Sequence, residues 1–153
     1  MFTTWNVACG IGEHSTYLAE AMMDCGTDIL IVGNDAAGHE SLGFRRDLHH
    51  AVCRSWRWDN KRWADSRVDF ESLERILRLA RPEALVFQHH TGFLPAYDVE
   101  NVVSVATQQG IPVVVELHDG RNVPAQHRTR LCELGATLVV HHEDEAKGLG
   151  EAA

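Results

Sequence analysis

The chain has 153 residues, with 14 basic and 22 acidic side chains and a formal net charge of −8. Its length and its 44% hydrophobic and 24% charged residues predict one globular domain over residues 1–153. The negative charge argues against a nucleic-acid partner, and no apolar run reaches the roughly 18 residues of a membrane helix. No secretory signal pattern is visible at the start, so we expect a cytoplasmic protein without a transmembrane segment.

Apolar runs alternate with helical patterns along the chain. Short runs rich in Val, Ile and Leu predict about five strands, at residues 5–9, 28–32, 84–87, 112–117 and 137–140. Helical spacing and capping residues predict helices at residues 15–24, 69–80, 94–109 and 124–134, with a short one starting at 143. Residues 34–68 break this alternation and predict a long excursion with short elements.

Strands and helices in alternation, with continuous apolar strands, are typical of a parallel sheet covered on both faces. We therefore predict an α/β fold with a single doubly wound, mostly parallel, Rossmann-like sheet in a three-layer α/β/α arrangement. The basic and aromatic residues between Arg45 and Arg67 allow two interpretations. One is a single-strand binding surface. The other, which we favour, is an amphipathic surface segment packed by Trp56, Trp58 and Trp63.

Polar residues follow the ends of the predicted strands, where ligands bind in open parallel sheets. Seven of the ten histidines lie there: His14, His39, His89, His90, His118, His141 and His142. A histidine beside a carboxylate can orient a substrate hydroxyl or stabilise charge, so His118 and Asp119 are our candidate catalytic residues. The alternative is a strand-end histidine satisfied by backbone hydrogen bonds.

A glycine-rich segment follows the first predicted strand. Glycines allow a close backbone approach, and the amides at a helix start can hold an anion such as a phosphate. The alternative is a tight turn without a ligand, because GxG without a third glycine is not a dinucleotide fingerprint. The candidate substrate- or phosphate-binding residues are Gly10, Ile11, Gly12, Glu13 and His14, joined by His90 and His141 from the same edge.

Two further chemistries are possible at this edge. A metal could be held by His90, His118, Asp119 and His141, but no recognised zinc spacing such as HExxH is present, and we predict no metal and no cofactor. Cys9 could be a nucleophile with a histidine as its base. We interpret it instead as a small buried residue, because the four cysteines lack paired spacing and fit reduced, mostly buried thiols.

The order of these motifs resembles the N-terminal domain of glycosyltransferases with the GT-B fold. The resemblance covers Trp5 to Leu149 and is carried by the glycine segment with TYLAEAM, by DILIVGN, LVFQHHTGFLP, GIPVVVELHDG and GATLVVHHEDEAKGL. It implies that Gly10 and Gly12 approach the donor phosphates and that His118 lies near the sugar. Residues 55–64 have no counterpart, and His142 stands where the family often has serine.

The resemblance implies transfer of a sugar from a nucleotide-sugar donor to an unknown acceptor, with this chain on the acceptor side. The donor-binding domain is absent from the 153 residues, so we expect the chain alone to be inactive or nearly so. It would then pair with a separate donor-binding domain or with a second copy. Two other classes stay open: a stand-alone α/β ligand- or partner-binding module, and a small metal-dependent hydrolase.

Overall fold

One seven-stranded sheet organises the described part of the chain, which is residues 1–35, 51–59, 62 and 65–147 of the computed structural model. The strands are β1 (Phe2–Thr3), β2 (Leu30–Asp35), β3 (Ala51–Arg57), β4 (Arg67–Val68), β5 (Leu85–His89), β6 (Val113–Leu117) and β7 (Ala136–Val140). The helices are α1 (Gly10–Asp24), α2 (Phe70–Ala80), α3 (Ala96–Gln108), α4 (Ala125–Glu133) and α5 (Glu143–Lys147), with a 3-10 turn at Gly120–Asn122.

The strand order is β4-β3-β2-β1-β5-β6-β7, and only the β3–β4 pair is antiparallel among the described strands. The chain starts in the middle, winds outward through β2 and β3, then returns to β5 and winds outward in the other direction. This is the doubly wound, mostly parallel α/β fold predicted from the sequence. None of the described helices is both long and apolar enough to cross a membrane.

Helices cover both faces of the sheet. The larger core lies under α2, α3 and α4, where their apolar side chains meet Phe2, Phe87 and Val115. The smaller core lies under α1 and contains Met1, Trp5, Ala19 and Ile31. The three layers follow from strands that are apolar on both sides, since each face must be buried against a helix.

The first strand is shorter and earlier than predicted. We expected residues 5–9, but β1 ends at Thr3 because the Trp5 amide donates to the side chain of Asn34 (2.8 Å) rather than to a neighbouring strand. Asn6 then takes a left-handed conformation, with φ of 56°. The predicted helix cap at Ser15 is also wrong. Helix α1 begins at Gly10, Cys9 caps it through Sγ to the Gly12 amide (3.2 Å), and Ser15 is buried within it.

Two strands lie where we predicted an excursion. Strand β3 extends the sheet beyond β2, and its Trp56 is 3% exposed and stacks on Phe2 with ring centroids 5.5 Å apart. The interpretation of a segment packed by its tryptophans therefore fits Trp56 and Trp58, whereas Trp63 and His39 lie outside the described residues. The expectation of mostly buried thiols is wrong, because two of the four cysteines are exposed and two are half-buried.

The remaining elements agree with the sequence analysis. Asp69 caps α2 by accepting from the amide of Ser72 (3.1 Å), and Arg81 ends that helix with a left-handed φ of 47°. Gly110, with φ of 75°, lies just beyond the end of α3. Strands β5, β6 and β7 each fall within two residues of their predicted bounds.

Candidate functional site

The candidate site lies where the winding direction of the sheet changes, between β1 and β5. In doubly wound sheets this switch point opens a crevice beyond the carboxyl ends of the strands. Here the first turn of α1 enters the crevice from one side, and the ends of β5, β6 and β7 enter from the other. The edge therefore gathers residues that are far apart in the sequence.

Glu116, near the end of β6, is the centre of this group. Its Oε1 lies 3.3 Å from Nε2 of His14 on α1 and 3.3 Å from Nε2 of His141 after β7. Its Oε2 accepts a hydrogen bond from Nε2 of Gln88 on β5 (2.8 Å). We call the five residues His14, Gln88, Glu116, His118 and His141 the Glu116 cluster.

The register of β5 and β6 builds the cluster from two neighbouring strands. Gln88 lies opposite Glu116 in the ladder, and both project from the face of the sheet that α1 covers. On the other face, Leu117 and Val115 are fully buried in the larger core. Because side chains alternate between faces, His118 follows Glu116 onto the cluster side.

The His118 ring completes the cluster. Its Nε2 lies 2.6 Å from Gln88 Oε1, and the ring is 5.0 Å from that of His14 and 5.2 Å from that of His141, centroid to centroid. Since the Gln88 amide nitrogen donates to Glu116, its oxygen must accept from His118, so Nε2 carries the proton and Nδ1 is free to accept. Burial lowers the pKa of His118 to about 4, with Glu116 opposing the shift and His14 and His141 adding to it. The ring is therefore neutral at physiological pH.

Asp119 follows His118 in the sequence but belongs to a different contact group. Its carboxylate accepts from the Thr91 amide (3.2 Å) and from the Thr91 hydroxyl, and His90 Nε2 lies 3.8 Å away. His90 Nδ1 in turn accepts from the Gly92 amide (2.9 Å). Through these contacts Asp119 and His90 hold the segment after β5 in place. Neither residue belongs to the Glu116 cluster.

The glycine segment forms the first turn of α1. The Sγ of Cys9 accepts a hydrogen bond from the Gly12 amide, and the Cys9 carbonyl accepts one from the Glu13 amide (3.1 Å). The amides of Gly10 and Ile11 are therefore the remaining hydrogen-bond donors of that turn. The Glu13 carboxylate accepts from the Tyr17 hydroxyl one turn further along the helix (3.4 Å). Cys9 is therefore a helix cap bonded to Thr4 and Gly12 rather than a buried strand-end residue.

A cavity of about 390 Å³ lies along the same edge of the sheet, at the ends of β2 and β3. Its lining is mostly polar and basic, with Trp56 and Val68 as the apolar members; the polar residues are Asp35, Arg54, Ser55, Arg57, Arg67 and Asp69. Among the described residues, this cavity is separate from the Glu116 cluster.

Glu116 and Gln88 are the functional candidates that the sequence analysis missed. Glu116 was included in an apolar strand, although a single carboxylate inside PVVVEL is itself a signal, because an isolated charge inside a buried strand needs a partner. The partners come from α1, β5 and β7, and only the three-dimensional pairing reveals them. Comparison of the chain with protein-family models, curated proteins and solved structures found no match.

Proposed function

We propose that this chain is the acceptor-side domain of a GT-B glycosyltransferase, with sugar transfer at the switch-point edge. The observation that carries the proposal is the 5.0 Å separation of the His14 and His118 rings, which puts the glycine segment and the end of β6 in one crevice. The motif order that resembles the GT-B family requires these two segments to face the same ligand. The doubly wound sheet supports the same assignment, because such domains bind ligands at this position.

In this proposal the first turn of α1 receives the donor phosphates. The amides of Gly10 and Ile11 point out of the helix start, where the helix dipole favours negative charge. A Cβ added at Gly10 would have no atom of the described residues within 4 Å, so they leave the backbone open to a ligand there. The net negative charge of the chain does not attract anions, so the attraction of the phosphates must come from the helix dipole at the start of α1.

His118 binds the sugar in the same proposal. Its ring is neutral, and the Gln88 oxygen holds the Nε2 proton in place. The free Nδ1 then accepts a hydrogen bond from a sugar hydroxyl, or a proton as a general base. Asp119 has a positioning role, because its carboxylate accepts from the amide and the hydroxyl of Thr91 and so connects the loop after β5 to the end of β6.

The cavity at the ends of β2 and β3 is the proposed place for the acceptor. It lies on the same edge as the Glu116 cluster, and in the sheet order β1 separates β2 beside the cavity from β5, the nearest strand of the cluster. Its arginines and aspartates suit a polar acceptor with hydroxyl or acidic groups. The acceptor and donor would then approach each other along the edge rather than across the sheet.

The test is a ligand titration followed by two-dimensional amide NMR. Uridine and guanosine diphosphate sugars are added to the labelled 153-residue protein, and we expect shifts at Gly10, Ile11 and His118. His118→Ala removes one hydrogen bond and should weaken binding by about tenfold. His142→Ala is the matched control, because His142 is an exposed neighbour outside the cluster.

Two results would contradict the proposal. One is a spectrum that no nucleotide sugar in the panel changes. The other is a set of shifts confined to the opposite edge of the sheet, around Gly26 and Gly110. Release of nucleoside diphosphate is measured in parallel, and we expect no turnover by the chain without a donor-side domain.

A further inference from the structure

We propose that the Glu116 cluster binds one zinc ion, with His14, Glu116 and His118 as protein ligands and His141 at the margin of the site. The potential ligand atoms of the first three residues lie within 4.8 Å of one another. The metal set considered from the sequence was His90, His118, Asp119 and His141, and no metal was predicted there. A bound ion would take the same Nδ1 of His118 that we assigned to the sugar, so the zinc proposal is tested by metal content and the sugar proposal on metal-free protein.

The distances around Glu116 fit tetrahedral coordination. Two ligands held about 2.0–2.1 Å from a tetrahedral zinc ion lie about 3.3 Å apart. Within the proposed ligand set, Glu116 Oε1 lies 3.3 Å from His14 Nε2. A direct charge-assisted hydrogen bond would bring such a pair to about 2.7–2.9 Å. The His14–Glu116 spacing is therefore one that a shared zinc ion allows without movement of either side chain.

The hydrogen bonds around the cluster are those of a supported metal site. Metal-binding histidines usually donate their second ring N–H to a neighbouring acceptor, which fixes the ring and its tautomer. His118 has this arrangement, since Nε2 bonds to Gln88 Oε1 (2.6 Å) and leaves Nδ1 as the ligand atom. The same Gln88 side chain is fully buried and also holds the second oxygen of Glu116 (2.8 Å).

The chemical types of the ligands determine which ion binds, and the exposure of their side chains determines whether it can reach the site. Imidazole nitrogens with one carboxylate suit zinc and other late first-row metals, whereas magnesium and calcium prefer oxygen ligands. His14 and His141 are 43% and 42% exposed, while Glu116 is 13% exposed. An ion can therefore enter from the crevice, and a coordination position stays open toward it.

The experiment uses tag-free 153-residue protein stripped with a chelator. Zinc is added, and binding is followed by calorimetry and by metal analysis after gel filtration, with cobalt as a spectroscopic substitute. We expect one zinc per chain, visible bands typical of tetrahedral cobalt, and no displacement by excess magnesium.

Variants separate ligation from folding. Glu116→Gln keeps the side-chain shape and His14→Ala removes an exposed ring, and each should weaken zinc binding by more than about 100-fold. Gln88→Leu removes only the supporting bonds and should weaken it by about 10–100-fold. His142→Ala is the control and should bind like the original chain. Circular dichroism of each metal-free variant confirms that it is folded.

The proposal is overturned if the stripped protein binds none of the added zinc. It is also overturned if His14→Ala and Glu116→Gln bind zinc as tightly as His142→Ala. Neither outcome decides nucleotide-sugar binding, which is read from Gly10 and Ile11 in the metal-free protein. The two proposals can therefore fail separately.

Discussion

At the scale of single residues, the buried ring of His89 makes the stability of the fold depend on pH. The ring is 2% exposed and lies between Phe87 and His127, with ring centroids 5.9 Å away on each side. Burial lowers its pKa from 6.5 to about 3; His127 adds to the shift and Asp119 opposes it. In the unfolded chain the same ring takes a proton near pH 6.5. Between these values the unfolded state binds a proton that the folded state does not.

We therefore expect the free energy of unfolding to decrease as the pH falls from about 6.5 toward 3. The contribution of His89 to the slope approaches about 1.4 kcal/mol per pH unit. Urea denaturation at a series of pH values measures it. His89→Leu should flatten the profile, and the exposed control His142→Leu should not. An unchanged slope in His89→Leu would mean that the ring titrates alike in both states.

Part of the site could be predicted from residues alone. His118 and His14 were assigned because they follow strands, and they lie in the Glu116 cluster. Asp119 was paired with His118 by adjacency, but β6 ends at Leu117, Asp119 leads into the 3-10 turn, and its carboxylate accepts from the Thr91 amide. Long-range pairing of Gln88 with Glu116 depends on strand register, which the sequence does not encode locally.

At the scale of elements, the start of α1 depends on two glycines with different surroundings. A Cβ at Gly10 would meet nothing within 4 Å, whereas one at Gly12 would lie 3.1 Å from the Val7 carbonyl oxygen and 3.4 Å from Cys9 Sγ. The Val7 carbonyl is fixed, because it accepts from the Cys9 amide (2.8 Å). Only the second glycine is therefore required by packing.

Alanine substitutions at these two positions should have opposite effects on stability. Gly10→Ala should raise the free energy of unfolding by up to about 0.5 kcal/mol, because Gly10 is the first residue of α1, where helix propensity counts for less than in the interior. Gly12→Ala should lower it by about 1 kcal/mol, since overpacking outweighs that gain. Urea denaturation of the pair is the measurement. Equal stability of the two variants would show that the Val7 carbonyl moves freely.

Elements with strong local signals were predicted well. Helix α2 has an aspartate cap and an apolar face, and both were visible in the sequence. Strand β1 was misplaced because it is two residues long and the buried residues after it, Trp5 and Val7, read as a strand. The Trp5 amide instead donates to Asn34, a partner 29 residues away, and the Val7 carbonyl accepts from the Cys9 amide (2.8 Å).

At the scale of the whole molecule, β3 is attached to the sheet by its buried tryptophan. Trp56 stacks on Phe2 at 5.5 Å and lies 6.2 Å from Phe93, ring centroid to ring centroid, so it joins β3 to the central strand and to the segment after β5. The sequence analysis missed β3 because its arginines, Arg54 and Arg57, interrupt the apolar run. Such a strand is recognised only from the side chains it packs against.

Trp56→Ala should therefore lower the free energy of unfolding by about 3–5 kcal/mol. Tyr97→Ala on α3 is the control, because that ring is 71% exposed and its loss should change stability by no more than about 0.5 kcal/mol. Thermal and urea unfolding of both variants test this. A small effect at Trp56 would mean that β3 is held by its ladder alone.

The central seam of the sheet is narrow. Strand β1 meets β5 through the single residue pair Phe2 and Phe87, whereas β5 and β6 share five pairs. His14 belongs to α1, which connects β1 to β2, and His118 follows β6, so an ion or ligand that holds both connects elements from the two halves of the sheet. Hydrogen exchange of the amides in β1 and β5 should then slow when the crevice is filled, and the fold and its occupant would stabilise each other.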